Sequence, residues 1–289
     1  MIGVYILTSR LHQRDTNMPK NDIQMPKHHP RLTQALSLAF TGLSLLLLST
    51  PARADLNRFA YTYGWWTQTK GGRELEFFHT QPKSGREWHN QIELEYGVTE
   101  RYLVAPYILL DRSGGFSDFP GADGGGESDE EGSGSIFDPI RNGRAYRYKG
   151  FKVEQRYRFG DYGIKKLLPA AYLEYARVKG ESPELEGKVI LQFDPNYKTT
   201  ISLNLIAEHY LKSGASFEYS YSSGIAYLAD KNDRYWYGAE AFGNTTNHEH
   251  WAGPTVGTFI GKETRLVGTY AHTLSHGADQ FRLVATRQF

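Results

Sequence analysis

From residue 73 onward, apolar and polar positions alternate with a period of two, the signature of strands with one apolar and one polar face. The sharpest run is 87–96. There Trp88, Asn90, Ile92, Leu94 and Tyr96 share one side, while Glu87, His89, Gln91, Glu93 and Glu95 share the other. Phe151, Val153, Tyr157 and Phe159 oppose Lys152, Glu154, Arg156 and Arg158 in the same way. Ile201, Leu203, Leu205 and Ala207 oppose Ser202, Asn204 and Glu208, and Phe217, Tyr219 and Tyr221 oppose Glu218, Ser220 and Ser222. The run 101–111 is different: it is apolar on both faces and contains Pro106, which removes a ladder hydrogen bond. Clusters of Gly, Asp, Asn, Pro and Lys separate about twelve such runs. They fall at 73–80, 87–96, 101–111, 149–159, 167–178, 184–193, 199–210, 215–228, 234–243, 253–261, 264–274 and 278–289. No run holds a helical period.

The pattern predicts an all-β protein of one of two kinds. A soluble sandwich turns its apolar faces inward; a transmembrane antiparallel up-and-down β-barrel turns them to lipid and its polar faces to the lumen. Loop lengths separate the two. In a bacterial barrel both termini are periplasmic, strand number is even, and periplasmic turns are short. The even-numbered connections, 97–100, 160–166, 194–198, 229–233 and 261–263, are all short. The longer ones, 244–252 and above all 112–148, are odd-numbered and fall on the external side. A barrel of about twelve strands is the better reading.

The N-terminal region agrees. Lys27, His28, His29 and Arg31 precede the apolar run 35–48, and Ala52-Arg53-Ala54 follows as a small-residue cleavage site. This is the order of a secretory signal peptide, and the run is too short for a spanning helix. Residues 25–54 are therefore read as a signal peptide cut after Ala54, and 1–24 as an upstream extension, with Met18 another possible start. Residues 55–72 form an N-terminal segment and 73–289 the barrel. Within that segment N-R-F-A-Y-T-Y-G-W-W (57–66), followed by Lys70-Gly71-Gly72, fits either a strand or a stretch tucked into a barrel mouth. Removing 1–54 changes the formal charge from +1 to −3, and neither value points to nucleic acid. The chain has no cysteine, hence no disulfide or thiolate chemistry, and its mean hydropathy is −0.54.

The last run places Phe281, Leu283, Ala285 and Phe289 on one face and ends on Phe289. Here the chain resembles Gram-negative outer-membrane β-barrels, whose terminal strand commonly ends in Phe. The resemblance implies recognition of Phe289 by the barrel-assembly machinery; Arg287 departs from the usual apolar residue at its position. More narrowly, F-A-Y-T-Y, E-L-E-F-F-H-T and E-L-E-Y-G-V-T-E-R-Y resemble poorly characterised exported barrels labelled phenol-degradation-pathway transporters. That likeness covers about a third of the mature chain, and its motifs are structural.

Under this phase Glu93, Glu95, Lys152, Glu154, Arg156, Arg158, Glu174, Glu208, Glu218, Glu240 and Arg282 point into a narrow lumen. They either line a pore or close it as ion pairs, and the ion-pair network is the more ordinary outcome. Of them Glu93, Glu95, Glu154, Arg156, Glu174, Glu208, Glu218, Glu240 and Arg282 are the pore-lining candidates. The loop 112–147 carries Asp118, Asp123, Glu127, Asp129, Glu130 and Glu131 among glycines, without the register of an EF-hand. A solvated acidic loop, or one folded inward to constrict the pore, is expected there. Asp123, Glu127, Asp129 and the pair His248-x-His250 are weak metal candidates only, and no cofactor is expected. His209, His272 and His276, with Ser213, Ser216 and Ser275 nearby, allow a lipid hydrolase, but no nucleophile motif supports one. Aromatic residues concentrate toward run ends, as interfacial girdles do. The expectation is a narrow channel for small molecules and not an enzyme, with a closed structural or adhesive barrel as the alternative.

Overall fold

A computed structural model describes residues 57–83, 87–113, 146–230, 234–275 and 277–289. The signal peptide, its cleavage site, the upstream extension and the carboxylates of 118–131 lie outside the described residues, as does His276.

Twelve strands follow one another: β1 (Arg73–Pro82), β2 (Glu87–Thr99), β3 (Tyr102–Ser113), β4 (Arg147–Arg158), β5 (Leu167–Val178) and β6 (Glu184–Asn196), then β7 (Thr199–Tyr210), β8 (Phe217–Leu228), β9 (Tyr235–Asn244), β10 (Glu249–Ile260), β11 (Thr264–Thr273) and β12 (Gln280–Gln288). Each pairs antiparallel with its neighbour, and β12 returns to β1 to close the barrel. Every predicted run is a strand. At 9 to 13 residues they match the 9–11 or so that a tilted strand needs to cross a hydrocarbon core. Closure leaves no edge of unpaired backbone groups. The seam runs in register from Glu74↔Gln288 to Pro82↔Gln280, and the Phe289 N–H continues it to the Arg73 carbonyl (3.0 Å).

The period-two alternation places the faces as expected. Phe77, Ile108, Phe151, Leu173, Val189, Leu205, Ile225, Val256 and Phe281 are exposed on the outside, around the whole circumference. Tyr96, Tyr157, Tyr197, Tyr227 and Tyr237 stand toward one end, and Tyr148, Phe217, Tyr219 and Tyr270 toward the other. So continuous an apolar belt is far larger than soluble monomers leave bare.

Two expectations need correction. The external loop drawn at 244–252 is a four-residue turn, because β9 extends to Asn244 and β10 starts at Glu249. Thr246 and Asn247 donate backbone N–H groups to the Asn244 side chain, which closes the turn early, and His248 takes a positive φ of 56°. The loop-length argument therefore rests on the single long β3–β4 connection. Trp88, expected against lipid, is only 7% exposed although it stays on the outward face. His79 lies edge-on to it, ring centroids 5.2 Å apart, and bonds Asn90 (2.8 Å).

Candidate functional site: a filled bore

The inward faces surround a bore that is neither open nor filled by strand side chains alone. Residues 57–70 enter it from the end that carries the short even-numbered turns and lie against the wall. The odd positions Phe59, Tyr61, Tyr63 and Trp65 are all buried. Phe59 and Tyr61 pack with Phe78, Leu103, Ala105, Tyr107, Trp236 and Phe242, among others. Tyr63 and Trp65 pack with Leu168, Ala170, Tyr172 and Ile190. This explains why β3 is apolar on both faces: Leu103, Ala105 and Tyr107 meet the inserted segment, while Pro106 and Ile108 face out. Rings continue up the bore, with Tyr61 stacked on Phe242 (4.0 Å) and Phe242 on Trp251 (5.6 Å).

An extended chain inside a barrel still needs partners for its backbone groups. Wall side chains supply them. Glu240 accepts the N–H groups of Ala60, Tyr61 and Thr62 at 2.8–2.9 Å and the Thr269 hydroxyl at 2.6 Å. Asn204 accepts the Tyr63 N–H (2.7 Å), and Ser202 and Asn204 donate to the Tyr63 carbonyl. Gln192 accepts the Trp65 N–H (2.9 Å), and Arg156 donates to the Trp66 carbonyl (3.0 Å). Arg265 donates to the Asn57 carbonyl (2.5 Å), and Gln68 bridges Glu95 and Gln288. The segment exits through Gly71 and Gly72. Gly97 opposite them has no side chain because a Cβ there would lie 1.9 Å from the Thr69 carbonyl oxygen.

All nine pore-lining candidates face the bore, and all but the half-buried Glu218 are buried. Arg156 joins Glu154 (2.6 Å) to Glu95 (3.2 Å); Lys152 meets Glu174 (3.3 Å). Arg282 lies over the rings of Tyr61 and Phe78, 5.1 and 4.9 Å from their centroids. Glu218 accepts from Asn244 (3.0 Å). The sequence reading missed Glu74, Glu76, Glu186, Lys188 and Arg265, although Glu74-x-Glu76 and Glu186-x-Lys188 repeat the inward spacing of Glu93-x-Glu95. Arg265 binds Glu76 (2.8 Å), and Lys188 binds Glu186 (2.8 Å) while its ammonium sits about 4 Å from the rings of Tyr63 and Tyr172. So the expected ion-pair network exists, but it does not balance. Among the described residues the strands bury eleven carboxylates against five basic side chains, an excess of six.

The histidines disperse. His250 lies on β10 against Tyr221, His209 stacks on Phe217, and His272 pairs with Asp279 (2.8 Å). Ser275 accepts the backbone N–H of His250, and no described serine bonds an imidazole. Neither His248 nor His250 joins a group of three metal-donor side chains among the described residues. Beyond the bore, the turn from β11 to β12 is pinned at Asp279. The Tyr270 hydroxyl (2.7 Å), the Thr273 N–H and Lys83 (3.1 Å each) hold its carboxyl well below the usual carboxylate range.

No protein-family model and no curated protein matches the chain. Solved structures do. The KdgM porin in complex with disordered oligogalacturonate superposes with a TM-score of 0.51 at 8% identity, over 75% of this chain and 99% of that one. A COG4313 outer membrane channel from Pseudomonas putida F1 superposes with a TM-score of 0.51 at 9% identity, over 81% and 100%. The fold is that of twelve-stranded outer-membrane channels. At such identity the likeness concerns architecture, and this chain's own residues must supply the rest.

Proposed function

We propose that the protein is an outer-membrane channel for small molecules, held closed by its own N-terminal segment. The observation that carries this is the way the bore is filled. Residues 57–70 join no strand ladder and are held by side-chain hydrogen bonds and ring packing. Such a filling can leave without breaking the wall. The apolar belt, the aromatic ends and the expected signal peptide support the outer membrane, with the β3–β4 loop outside. Glu93, Glu95, Glu154, Arg156, Glu174, Glu208, Glu218, Glu240 and Arg282 would then line the path. The rings along the bore and the likeness to barrels labelled phenol-degradation-pathway transporters suit small aromatic solutes. The carboxylate excess disfavours anions. Phe289, at the seam, is the residue we assign to assembly.

The test is conductance in planar bilayers of the mature chain and of a variant lacking 57–70. The full chain should be largely closed and the deletion should conduct, with cations passing better than anions. A folded deletion variant that stays silent defeats the channel reading. It would favour the second reading, a closed structural barrel acting through its loops, for which the filled bore is the supporting observation.

A further inference from the structure

We propose that Glu93, Glu95 and Glu154 form a binding site for a divalent cation of the size of calcium. Glu93 and Glu95 lie two residues apart on β2, and Glu154 reaches the same point from β4, across β3. One oxygen from each lies within 4.8 Å of the other two. Oxygens no farther apart than this let one ion bridge any two of them at a Ca–O distance of about 2.4 Å, whereas magnesium dehydrates reluctantly and is seldom held in a cage of protein oxygens alone. All three side chains are buried. Ala105, opposite Glu154 on β3, brings no polar group to the cluster.

The existing partners do not complete the cluster. Arg156 serves Glu95 and Glu154, the Tyr107 hydroxyl is donated to Glu154, and Gln68 donates to Glu95. Among the described residues no donor lies in hydrogen-bonding geometry with either oxygen of Glu93; the Tyr107 hydroxyl also faces this carboxylate but is donated to Glu154. A buried carboxylate without donors is costly unless a cation or proton lies against it, and one guanidinium among three carboxylates leaves negative charge over. Lys152 and Arg265 are engaged by Glu174 and Glu76, and Arg282, which lines the same cavity as Glu95 and Arg156, lies over the rings of Tyr61 and Phe78. Carboxylate oxygens are the ligands a hard cation selects. The site also touches the inserted segment, through Glu95 to Gln68 and through Arg156 to the Trp66 carbonyl, so a bound ion would help to hold that segment. The proposal does not depend on the channel reading.

Terbium luminescence tests it, since Tyr107 adjoins the site and can sensitise a bound lanthanide. The full mature chain is refolded into detergent with Tb³⁺, so that burial does not prevent loading, and folding is checked by heat-modifiable mobility. Tyrosine-excited emission should appear, fall at least tenfold in Glu93→Gln, and persist in the loop variant Asp123→Asn/Glu127→Gln/Asp129→Asn. Ca²⁺ should displace the probe at least tenfold more effectively than Mg²⁺. If Glu93→Gln does not fold, Glu154→Gln gives the same reading, and the Ca²⁺/Mg²⁺ preference of the wild type stands without any variant. No emission from folded wild type, emission that survives in Glu93→Gln or Glu154→Gln, loss in the loop variant alone, or a preference for Mg²⁺ each overturns the site.

Discussion

Glu240→Gln should release the inserted segment while leaving the barrel intact. One oxygen of Glu240 accepts the Tyr61 and Thr62 N–H groups, and the other accepts the Ala60 N–H and the Thr269 hydroxyl. The amide best places its remaining oxygen toward Tyr61 and Thr62. Its NH₂ then faces the Ala60 N–H, donor against donor, and the Thr269 hydroxyl must turn from donor to acceptor. A buried N–H left without an acceptor costs about 1–3 kcal/mol, and two charge-assisted bonds reduced to neutral ones lose about 1 kcal/mol each. The sum, about 3–5 kcal/mol, shifts the docked-to-undocked ratio by roughly a hundredfold to several thousandfold. Single-channel recording reads this as a rise in open fraction, and limited proteolysis reads it as new cleavage within 57–70. Glu218→Gln is the control, because Glu218 faces the same bore but bonds Asn244 and Asn247, away from the segment. The reasoning fails if Glu240→Gln matches the wild type in both assays while the deletion of 57–70 conducts.

Gly224→Leu should expel Phe59, because even a Cβ at Gly224 would lie 2.5 Å from its ring; the measured result should be a more protease-sensitive N-terminal segment in a barrel of unchanged thermal stability. Arg265→Ala removes the group that ties β11 to Glu76 on β1 and Thr286 on β12, leaving a buried carboxylate unpaired. It should cost about 3–5 kcal/mol, seen as a lower urea midpoint for barrel unfolding. Asp279, with its lowered pKa, stabilises its turn fully above the ordinary value of about 3.9, and that contribution disappears as pH falls below it. The melting difference between wild type and Asp279→Asn should therefore be widest near pH 7 and shrink toward pH 2; a gap independent of pH would show that the carboxylate charge is not what matters.

What could be read from the chain was whatever depends on period and parity. Strand number, the inward phase of Glu93, Glu95 and Glu154, and the outward phase of Phe151 or Leu205 all follow from alternation, which a wall with two different solvents imposes on every residue. The turn at 245–248 was misjudged because Asn244 caps its own turn, a local bond with no hydrophobic signature. The destination of 57–70 stayed open for a different reason. F-x-Y-x-Y-x-W has the spacing of a strand, and only the acceptors that meet it from β6, β7 and β9 show it to be a guest. The cluster of Glu93, Glu95 and Glu154 depends on β2 and β4 meeting around β3, which spacing within either strand cannot reveal.

The junction at Gly71 and Gly72 has a kinetic meaning. The inserted segment is joined to β1 by two residues, Gly71 at φ 80° and hydrogen-bonded to the Gly97 carbonyl, so once displaced it stays within reach of its own seat. A short flexible tether sets an effective concentration on the order of millimolar, and reclosure is a first-order event that diluting the protein cannot slow. A solute that shares the seat of Tyr61 therefore competes with a permanently present rival, and a free peptide copied from 57–70 would have to reach that same millimolar level to compete on equal terms.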